Sequence, residues 1–528
     1  MTRKRSCGRL CKIEKQIYEK NVLWCVRNRS NDLGIEERYG RERMSVELKL
    51  KTLTATEIAA VTGGKLEIYN GGDPETPQTG LTSNSREAGC GVIFCAIKGS
   101  RVDGCDFIAE AAKLGSTCFL CGRVPDNAKD CGLPFCAVVV EDVVKSMGTL
   151  AGWYRGFSKA TFIAITGSVG KTTTKEFVAA VASAAFQTHK TKGNLNNELG
   201  LPLTLFDLSP DDRVSVIEMG MSALGEIEYM TKLVRPDIAV VTNIGTSHLA
   251  TLGTRENICR AKMEIRLGLS DNSRLILNAD EPLLYDQYEQ LDKKPRILSI
   301  YNRNGDFRAV NIRQKLDGIV YDLIYDNKAV TNVEIPALGK HNVYNSLVAY
   351  AVGVMLGMDD EQIRRGLKSF VGADMRQKIY EVGGITIIDD CYNASPESMR
   401  AAIDVLVSIA SKKNARPAAL LGDMLELGEY SRLMHDQLGQ YAAQMQVQKL
   451  FCYGMMADIV AEAAIKKGIR ADNVYVALDT RDAQVMADMV LTALHPGDVL
   501  LVKASRAVQA ERIIECMKKR RAKKPTRK

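Results

Sequence analysis

The sequence has no uninterrupted apolar stretch of about 18 residues, the length at which a helix can cross a membrane. Its first 43 residues also have no apolar segment of the kind that forms the core of a secretory signal peptide. No solenoid-type repeat is visible. These absences argue against a membrane-spanning, secreted or repeat protein. We therefore expect a cytoplasmic protein without stable membrane association.

The cysteines lack the spacing of a zinc site. The chain has 14 of them, but they are scattered, and Cys118 and Cys121 form a lone Cys-x-x-Cys pair without a second pair or a histidine cluster. Without a secretory signal there is also no reason to expect disulfides. We predict free thiols, most of them buried.

The net charge of +8 is concentrated at the two ends of the chain. Residues 1–43 carry a net +6 and the tail Lys518–Lys528 carries +8, which leaves −6 for residues 44–517. Basic ends occur in nucleic-acid-binding proteins, but a solvated, disordered end is the commoner explanation. We expect a disordered basic extension at 1–45, a basic tail at 518–528 and no nucleic-acid partner. Met44 is the expected natural start, and a genuine disordered arm is the alternative.

The length of 528 residues predicts about three domains. Short apolar runs alternate with helix-like patterns along most of the chain, which is typical of α/β structure with mostly parallel sheets. We place a first α/β domain at 46–157, a central domain at 158–373 and a third at 374–517. In the first of these, Thr54 or Thr56 is expected to cap a helix that ends at Gly63–Gly64.

The strongest single signal is a glycine-rich turn between a predicted strand and a predicted helix. The turn (ITGSVGKT, 165–172) follows the apolar run FIAIT. Backbone N–H groups and the helix dipole bind phosphates at such a turn, with Lys171 reaching the β- and γ-phosphates and Thr172 holding Mg²⁺. Ile165 stands where the usual G-x-x-x-x-G-K-[ST] pattern has glycine. The predicted nucleotide-binding residues are Thr166, Gly167, Ser168, Val169, Gly170, Lys171, Thr172 and Thr173.

Further polar residues follow the next apolar runs, where open α/β sheets place their ligands. Glu218 follows VSVI, His248 follows IAVVTNIG, and Lys262 lies in a predicted helix. Each also has an ordinary structural explanation: a glutamate at a strand end, a hydrogen-bonded histidine and a solvated helix lysine. The third domain has comparable runs, at 385–389, 418–423, 449–454 and 499–505.

Several segments, taken in chain order, resemble the Mur ligase family. They are TGSVGKTTTKE (166–176), KGNLNNELGLPLT (192–204), EMGM (218–221), NIGTSHL (243–249), AKMEI (261–265), LNAD (277–280), GKHNVYNSLVAYAV (339–352), DDCYNASPESM (389–399) and GDMLELGEYS (422–431). The resemblance covers about residues 46–515. The last two segments resemble the ligases that add D-alanyl-D-alanine, and the D-N-P-R-type run expected of the diamino-acid-adding ligases is not found.

The resemblance implies a fold and a reaction. The fold is α/β in three domains, with a central P-loop ATPase-type sheet and a Rossmann-like C-terminal domain. In the reaction, the carboxylate of UDP-N-acetylmuramoyl-tripeptide attacks the γ-phosphate of ATP, and the amino group of D-alanyl-D-alanine then displaces phosphate from the acyl phosphate. The product is a UDP-muramoyl-pentapeptide, a peptidoglycan precursor. Since one chain holds every part of the site, we expect a monomer.

The resemblance also implies roles for individual residues. Thr172 and Glu218 match ligands of one Mg²⁺, and Glu218 and His248 match ligands of a second. Lys262 matches a lysine that CO₂ converts into N6-carboxylysine, which turns a cation into an oxygen ligand. The implied catalytic set is Lys171, Glu218, His248 and Lys262. The implied nucleotide contacts outside the P-loop are Asn342 and Asn345 (adenine), Arg376 (phosphates) and Asp390 (ribose).

The implied substrate contacts are Ser85, Arg86, Asn194, Asn196, Asn197, Tyr392 and Asn393. Asn84 replaces the aspartate of the family's D-S-R run. Asp423 and His435 are left to helix capping and surface placement. Two alternatives stay open: another ligase of the superfamily, either diamino-acid-adding or similar to folylpolyglutamate synthase, and a P-loop switch without ligase activity.

Overall fold

The computed structural model describes residues 45–301, 304–480 and 483–522. The chain divides into two compact units. The first runs to Phe157 and also contains Lys192–Leu195 and Pro202–Leu208; the second contains the remainder. Most of the expected N-terminal extension, with Met44, lies outside the described residues. Within the described ranges, no helix combines the length and apolar character needed to cross a membrane.

The first unit contains a six-stranded sheet of order β1-β3-β4-β5-β6-β2, in which β3 to β6 are parallel. Thr54 caps α1 through a capping box and Gly63 ends it with a φ of 69°, so the predicted helix is confirmed. Cys95, Cys118 and Cys121 are buried free thiols, as predicted. The elements are β1 Ser45–Glu47, α1 Ala55–Thr62, β2 Lys65–Tyr69, β3 Gly80–Thr82, β4 Val92–Ala96, α2 Ile108–Lys113, β5 Cys118–Cys121, α3 Asp126–Lys129, β6 Phe135–Val139 and α4 Val143–Tyr154.

The second unit contains a nine-stranded sheet of order β15-β14-β13-β12-β11-β10-β7-β9-β8. The strands from β8 to β13 in this order are parallel, and β14 and β15 add antiparallel to that edge. The strands are β7 Thr161–Thr166, β8 Thr188–Lys190, β9 Val214–Glu218, β10 Ile238–Val241, β11 Arg274–Asn278, β12 Arg296–Ser299, β13 Phe307–Gln314, β14 Ile319–Tyr325 and β15 Lys328–Ile335.

The helices that accompany this sheet begin with the one that follows the glycine-rich turn. Its buried side chains pack on the sheet, and the ring of Phe177 stacks on Phe370 with centroids 3.6 Å apart. The helices are α5 Lys171–Ser183, α6 Gly200–Phe206 (which contains residues of both units), α7 Glu226–Val234, α8 Leu249–Leu252, α9 Arg255–Met263, α10 Pro282–Gln290, α11 Lys340–Met355 and α12 Asp360–Lys368.

A third sheet, also in the second unit, has the order β16-β17-β21-β18-β19-β20 and is parallel except for β16. Three mostly parallel sheets with helices confirm the predicted α/β class. The elements are β16 Lys378–Val382, β17 Ile385–Asp390, α13 Pro396–Lys412, β18 Pro417–Gly422, α14 Ser431–Gln444, β19 Lys449–Tyr453, α15 Ala457–Lys467, β20 Val474–Ala477, α16 Ala483–Ala493, β21 Val499–Lys503 and α17 Glu511–Ala522.

Two differences from the sequence predictions stand out. The strands β13 to β15, which pair with one another antiparallel, were not predicted. The reason is that β13 and β15 alternate buried and exposed residues instead of forming short apolar runs. The pairing of β14 with the edge strand β15 is interrupted by a bulge, and Asn332 there has a φ of 55°. The prediction of disorder in the basic tail is wrong for residues 518–522, which continue α17.

Candidate functional site

The glycine-rich turn lies between β7 and α5 and depends on two glycines. Gly167 has a φ of 149°, and a Cβ added there would lie 1.9 Å from the Thr242 hydroxyl. Gly170 has a φ of 87°, and its added Cβ would lie 3.0 Å from Asn345 Oδ1. Only a residue without a side chain fits the first position. The backbone is therefore held in one arrangement by its neighbours.

The loop after β10 holds the glycine-rich turn in place through hydrogen bonds. The Ser168 N–H donates to the carbonyl of Asn243 at 3.1 Å, and the Val169 N–H donates to its Oδ1 at 2.9 Å. The Thr242 hydroxyl donates to the Val169 carbonyl at 2.8 Å. The Ser168 hydroxyl is buried and has no hydrogen-bond partner among the described residues. The turn is thus rigid and presents an unpaired polar atom.

Lys171 begins α5 and its Nζ donates to the Gly167 carbonyl at 2.8 Å. Removal of water from the ammonium group lowers the pKa of Lys171, while the Glu218 carboxylate raises it and Arg376 lowers it further. Lys171, Glu218 and Arg376, all predicted site residues, are therefore close enough to interact electrostatically. A bound polyphosphate would favour the charged lysine again.

Glu218 ends β9 and is 2% exposed. Its Oε1 accepts a hydrogen bond from Asn196 Nδ2 at 2.8 Å. Among the described residues Oε2 has no hydrogen-bond partner, and it lies 3.8 Å from Nζ of Lys175, which is also buried. An anion in this position has one oxygen fixed and one available to a cation. The explanation of Glu218 as an ordinary glutamate at a strand end therefore does not account for these contacts.

Lys262 lies near the end of α9 and is 1% exposed, so the solvated-lysine explanation is wrong. Burial lowers the pKa of its amine well below the ordinary value, and the charge of Lys171 lowers it further. No hydrogen bond or ion pair to the amine is observed in the described part of the chain. Both effects favour the neutral amine, which is the nucleophilic form of a lysine.

His248 precedes α8 with a φ of 64°. Its Nδ1 lies 2.8 Å from Oε2 of Glu426, in the segment between β18 and α14. The hydrogen bond from His248 lowers the pKa of Glu426. Two residues earlier, the N–H and hydroxyl of Thr246 each donate to Oε1 of Glu397 at 3.0 Å. The loop after β10 is thus in contact with two carboxylates from the third-sheet region.

Asn342 and Asn345 are buried on α11 and connect this helix to α5. Asn345 Nδ2 donates to Asn342 Oδ1 at 2.8 Å, and its Oδ1 accepts from the Thr174 hydroxyl at 3.0 Å. Asn345 also lines a cavity next to Val169 and Gly170. The predicted adenine-side asparagines therefore lie at the P-loop and hold it against α11.

Arg376 precedes the edge strand β16 of the third sheet, and Asp390 lies on the neighbouring strand β17. The Arg376 guanidinium carbon is 4.2 Å from the centroid of the Tyr392 ring, a cation–π arrangement. Met375 and Gln377, on either side of Arg376, have φ values of 56° and 54°. Asp390 ends β17, and its Oδ2 accepts from Lys503 Nζ at 2.6 Å.

Lys503 ends β21 and also donates to the carbonyl of Asn393 at 2.9 Å. It is a residue that the sequence analysis missed, although it lies at the end of a predicted strand, where ligands of such sheets lie. Lys175, Asn243, Glu397 and Glu426 were also missed, although these four occur within the segments that carried the family resemblance.

Several of the remaining predicted residues belong to the first unit. Ser85 and Arg86 are in the first unit, in a turn that the Asn84 side chain caps through the Arg86 N–H at 3.1 Å. Asn194 belongs to the first unit as well. Asn197 Oδ1 accepts from the Gly200 N–H at 2.9 Å and so caps α6.

Asp423 and His435 are both buried, so surface placement is wrong for each. Asp423 accepts the backbone N–H groups of Met455 and Met456 at 2.8 and 2.9 Å, just before α15. His435 Nε2 accepts the Met424 N–H at 2.9 Å. Both residues stabilise backbone around the segment that carries Glu426, in agreement with the capping interpretation of Asp423.

Within the residues that the structure describes, no group of three or more histidine, cysteine, aspartate or glutamate side chains is arranged as a metal site. The predicted metal ligands include only two residues of these types, Glu218 and His248. The free Oε2 of Glu218 fits a divalent cation, since carboxylate oxygen is a preferred ligand of Mg²⁺. His248 fits as well, because Glu426 binds Nδ1 and leaves Nε2.

Comparisons with known proteins assign this arrangement to a family. Three family models match: the Mur ligase family catalytic domain over 78–148, the Mur ligase middle domain over 165–353, and the Mur ligase glutamate ligase domain over 375–506. The UDP-N-acetylmuramoyl-tripeptide–D-alanyl-D-alanine ligase of Bacillus subtilis is 34% identical over 467 residues, 88% of this chain and 97% of that protein.

Solved structures agree with this. Crystal structure I of MurF from Acinetobacter baumannii superimposes with a TM-score of 0.79 at 30% identity, over 88% of this chain and 99% of that one. The MurF ligase of Thermotoga maritima in complex with ADP gives a TM-score of 0.73 at 29% identity, over 84% and 98%. With the glycine-rich turn, Glu218, His248 and Lys262 all placed around the end of one parallel sheet, the chain belongs to the Mur ligase family.

Proposed function

We propose that the protein is an ATP-dependent ligase that joins D-alanyl-D-alanine to UDP-N-acetylmuramoyl-tripeptide, acting as a monomer in the cytoplasm. The observation that carries this proposal is the similarity, over nearly the whole chain, to the Bacillus subtilis enzyme of that name. The segments 389–399 and 422–431, which resembled the D-alanyl-D-alanine-adding ligases in sequence, contact the loop after β10 through Glu397 and Glu426.

The glycine-rich turn would bind the phosphates of ATP. Its backbone is held by Asn243 and Thr242, and the N-terminus of α5 adds a positive dipole. Lys171 supplies the charge that lets two anions, the tripeptide carboxylate and the γ-phosphate, approach each other. The ADP bound to the Thermotoga maritima ligase supports a nucleotide here.

The magnesium ligands would be Thr172, Glu218, His248 and the carboxylated side chain of Lys262. Bound Mg²⁺ would neutralise phosphate charge and polarise the reacting oxygens. The structural support is the buried Oε2 of Glu218, which accepts no hydrogen bond from the described residues. Asn196 fixes the other oxygen and so orients the carboxylate.

Carboxylation of Lys262 would require a neutral amine and protection from bulk water. The burial of the side chain and the lowering of its pKa well below the ordinary value support both conditions. The modified side chain would carry oxygen atoms into a site that already holds the Lys171 cation. The added negative charge would attract the Lys171 cation.

The remaining predicted residues would act on the two substrates. Arg376 would bind the ATP phosphates and Asp390 the ribose, with Lys503 holding the Asp390 carboxylate. In the first unit, Ser85 and Arg86 would contact the UDP-sugar. The other proposed contacts are Asn194, Asn196, Asn197, Tyr392 and Asn393 for the substrates and Asn342 and Asn345 on the adenine side.

The test is phosphate release from ATP with UDP-N-acetylmuramoyl-tripeptide, with D-alanyl-D-alanine present or withheld. We expect release to require both substrates, a pentapeptide product by mass, and a loss of about 100- to 1,000-fold in Lys171→Ala. Release without D-alanyl-D-alanine would contradict the proposed acceptor. Release that needs neither substrate would favour a P-loop switch. Lys232→Ala, which removes an exposed ion pair on α7, is the control.

A further inference from the structure

The cavity beside the glycine-rich turn has the character of a site for a flat, apolar group. Its aliphatic lining comes from Val169, Val241, Ile276, Leu277, Leu298 and Val348. Ligand sites of this kind are mostly apolar, with a small number of polar groups that orient the ligand. A purine base next to the phosphate-binding turn suits such walls.

Several polar side chains also line the cavity, and most of them are engaged with protein groups. Those that make hydrogen bonds to protein are Thr242, Asn243, Asn278, His341 and Asn345. His341 is moreover uncharged, because burial lowers the pKa of its imidazole. These groups shape the cavity, and their bonds to protein leave them less free to recognise a ligand.

Tyr344 is the exception. It lines the cavity from α11, one residue before Asn345, and its hydroxyl oxygen is buried without a hydrogen-bond partner among the described residues. A buried hydroxyl left unpaired is destabilising. Such an orphan in a ligand cavity is explained if the partner is the ligand.

We propose that Tyr344 is a base-recognition residue whose hydroxyl forms a hydrogen bond with the polar edge of the purine of the bound nucleotide. This inference rests on the proposed use of ATP. The hydroxyl both donates and accepts, so it can pair with a ring nitrogen or with the exocyclic group of the base. The aliphatic side chains contact the faces of the base and Tyr344 its edge. Tyr344 takes no part in phosphate transfer.

The experiment compares Tyr344→Phe with wild type by calorimetric titration with ADP and, separately, with inorganic tripolyphosphate, which has no base. We expect Tyr344→Phe to weaken ADP binding by about 2- to 12-fold, the net effect of one hydrogen bond, and to leave tripolyphosphate binding unchanged. Without ligand, the Tm of the variant should equal or exceed that of wild type, because an unsatisfied hydroxyl has been removed.

Tyr321→Phe is the matched control. The Tyr321 hydroxyl is buried as well, but it is 2.9 Å from the Ser346 hydroxyl and lies outside the cavity. Its loss should lower the Tm and leave ADP binding unchanged. If Tyr344→Phe binds ADP as tightly as wild type does, the inference about Tyr344 is overturned while the proposed function stands. The same holds if the variant loses tripolyphosphate binding to the same extent as ADP binding. Wild-type protein that binds neither probe would overturn the proposed function, and the inference with it.

Discussion

The Nδ1 atom of His248 lies 2.8 Å from Oε2 of Glu426, although 178 residues separate them in the chain. A carboxylate on one ring nitrogen fixes the orientation of the imidazole and leaves the other nitrogen available. Glu426 comes from the segment after β18, so the third sheet contributes to the geometry of a proposed metal ligand that follows β10.

Glu426→Gln should therefore reduce activity without removing any proposed ligand. The amide retains the shape of the side chain but makes a weaker, uncharged hydrogen bond to His248. We expect a loss of about 10- to 100-fold, seen mainly as a higher Mg²⁺ concentration for half-maximal rate. Glu429→Gln, three residues along and exposed, is the control. Equal magnesium dependence in both variants would contradict an orienting role.

Lys262→Met should make the unliganded protein more stable and inactive. Because the folded-state pKa of Lys262 is lowered, the unfolded chain binds more protons below the ordinary lysine pKa, and this opposes folding there. The stability gained by the variant should thus be present at neutral pH and shrink as pH approaches the ordinary lysine value. Each 1 kcal/mol gained raises Tm by about 2–4 °C.

Lys175→Met is the matched control for that measurement. Lys175 is equally buried, but its Nζ donates to the Thr191 carbonyl at 2.8 Å and lies 3.2 Å from Glu176. Its removal should lower the Tm, because the Thr191 carbonyl and the carboxylates of Glu176 and Glu218 lose a cationic partner. Destabilisation by both replacements would show that Lys262 is charged and paired in the unliganded protein.

Lys503→Met should destabilise the protein because it leaves Asp390 buried without its cation. Loss of one member of a buried pair costs about 3–5 kcal/mol. The double variant Lys503→Met, Asp390→Asn should recover part of this loss, and denaturant unfolding measures the difference. Additive effects of the two single changes would mean that the 2.6 Å contact contributes no coupling energy.

Gly167→Ala should abolish ADP binding, since its Cβ would lie 1.9 Å from the Thr242 hydroxyl and would displace the turn. Gly225→Ala separates this effect from backbone strain alone. Gly225 has a φ of 88° and nothing lies within 4 Å of its added Cβ, so the variant should lose only about 1–2 kcal/mol of stability. Normal ADP binding by Gly167→Ala would show that the backbone at residue 167 does not approach the Thr242 hydroxyl closely.

The sequence predicted those elements whose signal is local. β5 is buried along its whole length, so the uninterrupted run CFLC marked it correctly. The glycine-rich turn was recognised because strand, turn and helix are consecutive. By contrast, the partner of Asp390 is 113 residues away and is set by the adjacency of β17 and β21. No local pattern carries that information, and the cavity position of Tyr344 depends equally on the packing of α11.

The two edges of the nine-stranded sheet limit self-association. An exposed edge strand offers unpaired N–H and C=O groups to another chain, and long, regular edges promote aggregation. Here one edge is β8, only three residues long. The other is β15, where the bulge at Asn332 interrupts the pairing and Glu334 forms ion pairs with Lys315 and Lys368. Neither edge provides a continuous template for intermolecular β-pairing, which favours recovery of the folded chain at high concentration.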